Sequence, residues 1–511
     1  MERKLSPTLE GLFYVISFAL SGWMALQLLG EPFLRGWDSY FYALRTQAWF
    51  VQGAWQLADG NMLHLLLTPF HWLGIGVADA LRLWQALSFF LLSIPFILLL
   101  RQFRSAVWAT VLFAWFLFSP VMMYVDIALM KTMAFLICFA WAFYFSVQKK
   151  PNWLAWAIFS AVAILLHRAA VPYVAVSAVY MLAAFYGSRG YRALGWILLG
   201  LLVGATAYLA FWPSAISAAD LSRISAERLT PGLISLIFRY SFPPEYKREL
   251  ILALCVMFAL VVVFIHRRDK RVWYPVGLLA VSFFPTLGTE ALCLGERFGI
   301  LFPFFSLLSC SFLLRKSATG LKSDDGFSRR EMFLVAAALL VVGFGRLDRG
   351  HPITRNQPYD QYARLSCHLS KHPVPMLVSS KGFNHFYTFT TGAPAFSFEP
   401  EDHWDSTQVW RVVQSVSPQE LAALTPSACQ AQVIPLEEPE CTPLAAPMFL
   451  VREDCYRQIR RNAREQNGPA ALILFNDVIH PNKKRSLFLY KKHPHTQPDE
   501  QFPACPPPGC R

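Results

Sequence analysis

Charge is what this chain has least of. Only 15% of its 511 residues are Asp, Glu, Lys or Arg, against roughly 25% in soluble domains, and that deficit excludes an ordinary water-soluble globule. Acid is scarcer than base, with 33 Asp and Glu against 46 Lys and Arg. Three catalytic signatures are missing: G-x-x-x-x-G-K-[ST], H-E-x-x-H and G-x-S-x-G. Their absence argues against an ATP-driven pump or a membrane metalloprotease, and the glycines at Gly74/Gly76 and Gly343/Gly345 are too loosely spaced to replace them. No N-x-[ST] acceptor occurs either, which in an outward-facing domain favours a bacterial envelope over a eukaryotic secretory membrane.

What the chain does have is apolar sequence, 55% of residues, gathered into runs close to the ~20 residues that cross a ~30 Å hydrocarbon core as a helix. The runs are too long and too uniformly apolar for barrel strands. They predict a polytopic α-helical membrane protein with about eleven transmembrane helices, at 10–30, 81–100, 105–124, 132–147, 153–167, 171–187, 193–213, 248–266, 272–287, 297–314 and 331–346. The first run follows Met1-Glu2-Arg3-Lys4 and has no small-residue cleavage site before Glu31-Pro32, so it reads as a retained span rather than a signal peptide.

A net charge of +13 would suggest nucleic acid in a soluble protein. Here the cations fall in alternate connectors: Arg101/Arg104, Lys149/Lys150, Arg189/Arg192, Arg267 to Arg271 and Arg315 to Arg330. That is the positive-inside pattern, so it predicts a cytoplasmic N-terminus and anionic-lipid contact, with no nucleic-acid partner. The connectors 31–80, 125–131, 214–247 and 288–296 then face outward, and so does everything after Gly345. Six of the ten cysteines (Cys367, Cys429, Cys441, Cys455, Cys505, Cys510) lie in that tail, where an oxidising compartment permits disulfides without the sequence saying which. Strand-like runs at 376–379 and 471–475 among helix-like pieces predict a small C-terminal α/β extracytoplasmic domain at 347–490, followed by a Pro-rich mobile tail at 491–511. The membrane part, 1–346, includes the outer loop 31–80, whose Trp- and Tyr-rich helical stretch from Gly36 to Trp49 predicts interfacial helices.

Asp38 follows the first span at once, and an acid that close to the bilayer usually caps a helix or lines a wet cavity. Asp126 and Lys131 bracket the short second outer turn, where they also fit a local ion pair. His167-Arg168 ends a span on the same face, and Glu290, Glu296 and Arg297 crowd the turn before the tenth. Taken singly, each fits interfacial snorkelling; together with Arg45 and His64 of the first loop, the topology gathers them on one membrane face. Carboxylates and cations at an outer interface suit a lipid-linked sugar phosphate, whose tail stays in the bilayer while Arg and Lys hold its phosphate. A carboxylate then deprotonates an acceptor hydroxyl, and cations or a divalent metal stabilise the leaving phosphate.

Three segments carry a family resemblance: Trp37-Asp38-Ser39-Tyr40-Phe41-Tyr42 with Asn61 to Phe70, Ser119-Pro120 running through Asp126 to Lys131-Thr132, and Gly295-Glu296-Arg297 to Pro303. With Tyr387 to Ala395 in the tail, the chain resembles the GT-C superfamily of polyprenyl-phosphate-dependent glycosyltransferases, which includes protein mannosyltransferases and aminoarabinose transferases. The resemblance implies transfer of a sugar, with inversion, from a polyprenyl phosphate to an envelope glycan, lipid or protein. It implies Asp38 as catalytic base or metal-site residue, although Ser39 stands where many members have a second acid. Asp126 is then the candidate second-loop acid, and Lys131, Arg168 and Arg297 are candidates for phosphate binding. Two other classes fit the layout: a polyprenyl-linked glycan flippase, and a non-catalytic envelope assembly partner.

Overall fold

The computed structural model describes residues 6–36, 39–52, 63–103, 105–148, 150–167, 169–186, 244–266, 273–283, 299–317 and 476–477, and residues 362–467 apart from 364, 368, 370–371, 380–382, 397–404, 415–417 and 437–447. The spans read at 193–213 and 331–346 and the tail at 491–511 lie outside the described residues. The chain divides into two compact units, one of Met1–Glu31 with Trp49–Arg355, the other of Pro32–Ala48 with Asn356–Arg511.

The first unit is helical. Its α1 (Pro7–Leu29) starts where Ser6 accepts the Leu9 N–H at 3.2 Å and Pro7 presets the first turn. The connector after α1 holds two helices, α2 (Ser39–Gln52), in which the unit boundary falls, and α3 (Leu63–Trp72); α4 (Val77–Leu100) follows. Next come α5 (Ala106–Phe118) and α6 (Pro120–Ala128), with only Ser119 between them. Ser119 is extended, caps the Met122 N–H through its hydroxyl, and precedes a proline at the first helical position, so it ends one helix and starts another at a 45° bend. The remaining described helices are α7 (Met130–Ser146), α8 (Trp153–Leu166), α9 (Ala170–Tyr186), α10 (Pro244–His266), α11 (Trp273–Phe283) and α12 (Phe302–Ser317). Among the described residues α1 and α4 are long and apolar enough to cross a membrane, and α5 with α6 adds a third if the bent pair is one span.

This unit exposes large apolar side chains, unlike a soluble bundle, and buries hydroxyls within a largely apolar interior. Val15, Phe18, Leu26, Leu154 and Phe258 are exposed, while Ser17, Gln85, Ser88, Ser177, Ser282 and Glu249 are buried. An outer surface of that kind suits hydrocarbon, and interior hydroxyls tie helices together where lipid offers no partner. Tyr274 donates to Ser177 Oγ at 3.0 Å, Trp156 Nε1 donates to the same oxygen at 3.0 Å, and the Tyr173 and Ser282 hydroxyls meet at 2.8 Å. Gly277 allows α11 close to α9, since a Cβ there would lie 2.9 Å from Val176 Cγ1.

The second unit is a small α/β domain with six strands among the described residues: β1 (Met376–Val378), β2 (Ala395–Phe396), β3 (Val409–Gln414), β4 (Val433–Pro435), β5 (Met448–Arg452) and β6 (Asn476–Asp477). Their order is β2-β1-β3-β5-β4, with β6 also on β3; β1 pairs parallel with β2 and β3, and the other pairs are antiparallel. Among the described residues, α13 (Phe383–Thr391), α14 (Pro418–Leu424) and α15 (Glu453–Asn467) also belong to it. Val413, Leu421, Val451, Ile459 and Ala463 form a buried core, through which the Cys429–Cys455 disulfide runs. At the head of α15, burial works to raise the Asp454 carboxyl. The Arg452 guanidinium at 2.8 and 2.9 Å and the Cys455 N–H at 2.8 Å outweigh it and hold the group below the usual carboxylate range.

The disulfide spans 26 residues, so Cys429→Ala with Cys455→Ala should destabilise this unit by about 2–4 kcal/mol. Thermal unfolding of the purified protein checks this, and equal midpoints for both forms would contradict it.

Candidate functional site

Of the residues singled out from sequence, Asp38, Arg168, Glu290, Glu296 and Arg297 lie outside the described residues. Asp126 is the best defined of the rest. The sequence reading puts it in an outward turn at 125–131, but α6 continues to Ala128 and only Leu129 separates it from α7. The reason is local: the Ser119 cap and Pro120 restart the helix, which then runs a further two turns. Asp126 is 1% exposed, and its Oδ1 accepts a 2.5 Å hydrogen bond from Ser88 Oγ on α4. Gln85, one turn earlier on α4, donates from Nε2 to the Ile127 carbonyl at 2.8 Å. Two polar side chains of α4 therefore hold the end of α6, and Asp126 hydrogen-bonds across helices rather than to Lys131 among the described residues.

A cavity of about 20 Å³ adjoins Asp126, lined also by Leu20, Met24, Phe89, Leu117, Met123 and Ile127. It is large enough for a single water. An acid in such surroundings is costly unless it is hydrogen-bonded, and ionisable groups inside membrane segments usually mark a pathway or a reaction.

The junction of α6 and α7 gathers further candidates. Lys131 is half-buried in the first turn of α7. Phe135, one turn on and therefore on the same side of the helix, has its ring 6.0 Å from that of His167. His167 closes α8, and its Nδ1 accepts the Ala169 N–H at 3.0 Å, which keeps the imidazole in a turn. His64 is half-buried on α3, its carbonyl accepting the Thr68 hydroxyl at 3.2 Å. Arg45 belongs to the second unit, with its guanidinium 5.4 Å from the Phe41 ring centre, a cation–π arrangement.

Sequence reasoning missed Glu249. It sits in the second turn of α10, 7% exposed, and accepts both the Trp115 Nε1–H and the Val121 N–H at 3.0 Å. Its carboxylate thus meets the positive N-terminal end of α6 and fastens α5 and α6 across their bend. The available signal was an acid directly before the apolar run that begins at Leu250. Glu249→Ala strands the buried Val121 N–H, expected to cost about 1–3 kcal/mol, and removes the partner of the part-buried Trp115 indole. A lowered unfolding midpoint in detergent checks this, and an unchanged one would show that α10 does not hold the bend.

Flanking Asp38, Gly36 adopts φ 111°, a conformation open only to glycine without strain. The Ser39 N–H reaches the Gly36 carbonyl at 3.4 Å, and the Ser39 hydroxyl donates to the Arg35 carbonyl. Among the described residues no group of three or more His, Cys, Asp or Glu side chains is placed to hold a metal ion. Neither a protein-family model nor a curated protein matches the sequence.

Proposed function

We propose that the chain is a membrane glycosyltransferase of the polyprenyl-phosphate-dependent kind, crossing the membrane about eleven times and acting at the outer face of a bacterial inner membrane. The observation that carries this reading is the membership of the second unit: Pro32–Ala48, from just after α1, belongs with the C-terminal domain. A compact unit with solvated sheet edges and loops lies on one side of a bilayer. In this reading the chain between residues 49 and 355 crosses an even number of times, and α1 makes the total odd. The Cys429–Cys455 disulfide favours an oxidising compartment for this unit, and the cationic connectors favour the cytoplasm for the N-terminus. Exposed Leu66, Trp72 and Leu73 around α3 suit a helix lying in the outer interface.

In this reading the Asp38 carboxylate accepts the proton of an acceptor hydroxyl. The freed oxygen bonds to the anomeric carbon of the donor sugar, the bond from that carbon to the phosphate oxygen breaks, and polyprenyl phosphate leaves. The resemblance makes Asp126 the candidate second-loop acid and Lys131, Arg168 and Arg297 the candidate phosphate partners. The test is transfer of labelled sugar from a polyprenyl phosphate by the purified protein, compared with its Asp38→Asn form. Equal transfer by the two would remove Asp38 from the mechanism, and movement of the carrier across liposomes without covalent change would replace the transferase with a flippase.

A further inference from the structure

Helix α15 buries one face and leaves the other to solvent. Cys455, Tyr456, Ile459 and Ala463 lie in the core of the second unit, so the residues between them, at helical spacing, point outward. Those outward residues are cationic: Arg457 is 49% exposed, Arg461 is exposed and Arg460 is half-buried. The Glu453 carboxylate is shared, one oxygen on Arg411 and the other on Arg457, each at 3.0 Å, so one negative charge meets two guanidinium groups. Among the described residues Arg460 and Arg461 have no ion-pair partner. Beyond its first turn the helix carries a single acid, Glu465. Of the segments joined to it, α14 by packing and 427–432 by the disulfide, the first brings one acid, Glu420, and the second none. The helix dipole does not account for these arginines, because its effect is confined to the last turn and they stand in the second and third. Charge is segregated on a larger scale too: residues 356–456 hold eleven Asp and Glu against five Lys and Arg, whereas 457–511 hold four against ten.

We infer that the arginine face of α15 docks on the surface of an anionic bilayer, with Arg457, Arg460 and Arg461 donating to headgroup phosphates. Arginine suits this partner because its guanidinium presents donors to phosphate oxygens in a fixed fork and is weakly hydrated. An exposed helix face encloses nothing, so it gives a small soluble anion little hold, while an extended negative surface engages several arginines at once. The second unit is also tethered where such a surface is found. Its first segment, Pro32–Ala48, starts three residues after Leu29, the end of α1, which is long and apolar enough to cross a membrane. A tether that short keeps the local concentration of headgroups high. The inference needs the chain to be anchored through α1; it does not need the transferase chemistry.

The test uses the full-length protein in two kinds of lipid nanodisc, phosphatidylcholine alone and phosphatidylcholine with phosphatidylglycerol, labelled with phenylglyoxal and read arginine by arginine by mass spectrometry. At low salt, labelling of Arg457 and Arg461 should be about fivefold lower in the phosphatidylglycerol discs. The difference should vanish in ~1 M salt, where charges are screened within ~3 Å. Arg452, held by Asp454 in the same unit, should label alike in both discs. Arg460→Gln with Arg461→Gln should return Arg457 labelling in the phosphatidylglycerol discs to its phosphatidylcholine level. Equal labelling of Arg457 and Arg461 in the two discs would overturn the inference, and so would a parallel fall at Arg452, which reports a change throughout the unit. Equal protection in phosphatidylcholine discs by added inorganic phosphate would also overturn it, assigning the arginines to a soluble anion instead of the bilayer.

Discussion

Asp38→Asn is expected to lower sugar transfer by about 10²- to 10⁴-fold, the range that a positioned general base contributes. Asparagine keeps the size of the side chain and its capacity to accept a hydrogen bond, so a helix-capping role would survive the change with little loss of stability, Asn and Asp being near-equal caps. The two roles are therefore separable by experiment: a capping residue gives a slightly less stable but active protein, a base gives a stable and inactive one. Membrane level and the Cys429–Cys455 bond should be as in the parent. A strain whose envelope glycan is normal with only the Asn form present would rule out the catalytic role.

The second large effect is expected inside the C-terminal unit. Arg411 on β3 and Glu453 at the start of α15 form an ion pair at 3.0 Å with side chains only 1% and 2% exposed. The guanidinium lies 4.4 Å from the Tyr456 ring centre, and Glu453 also accepts from Arg457 Nε at 3.0 Å. Arg411→Met leaves a buried carboxylate whose remaining ion-pair partner is half in solvent, and removing one member of a buried pair costs about 3–5 kcal/mol. Replacing both, Arg411→Met with Glu453→Met, should recover most of that loss, because a buried pair gains little over apolar groups of similar volume. Limited proteolysis of the second unit reads both forms. Equal protease resistance of Arg411→Met and the parent would mean that the pair does not hold β3 to α15.

Both effects depend on features that the sequence reveals unequally. The helices α1 and α4 stand within a few residues of the apolar runs at 10–30 and 81–100, because a run of that length in lipid has one way to satisfy its backbone. The break at Ser119-Pro120 falls inside the span read as 105–124, although its signal is local, since a hydroxyl cap and a proline at the first helical position act over three or four residues. The strand at 376–378 and the α/β character of the tail were also readable from short-range pattern. Asp126 was recognised as unusual but assigned to a turn. Its burial depends on Ser88 and Gln85, whose presence on the facing side of α4 is a matter of how two helices pack.

The amino-acid sequence alone determined where the helices of the membrane part begin and break, because caps, prolines and apolar length act within a few residues of themselves. Only the tertiary structure decided which distant groups became partners. Glu249 found Trp115 and Val121 from 134 and 128 residues away, Cys429 took Cys455 from among several possible thiols, and Tyr40 packed against Phe386 and Phe389 of α13. Such pairings follow from the joint packing of whole elements. No local pattern encodes them, because each side chain alone is compatible with several partners and the packed unit leaves room for one.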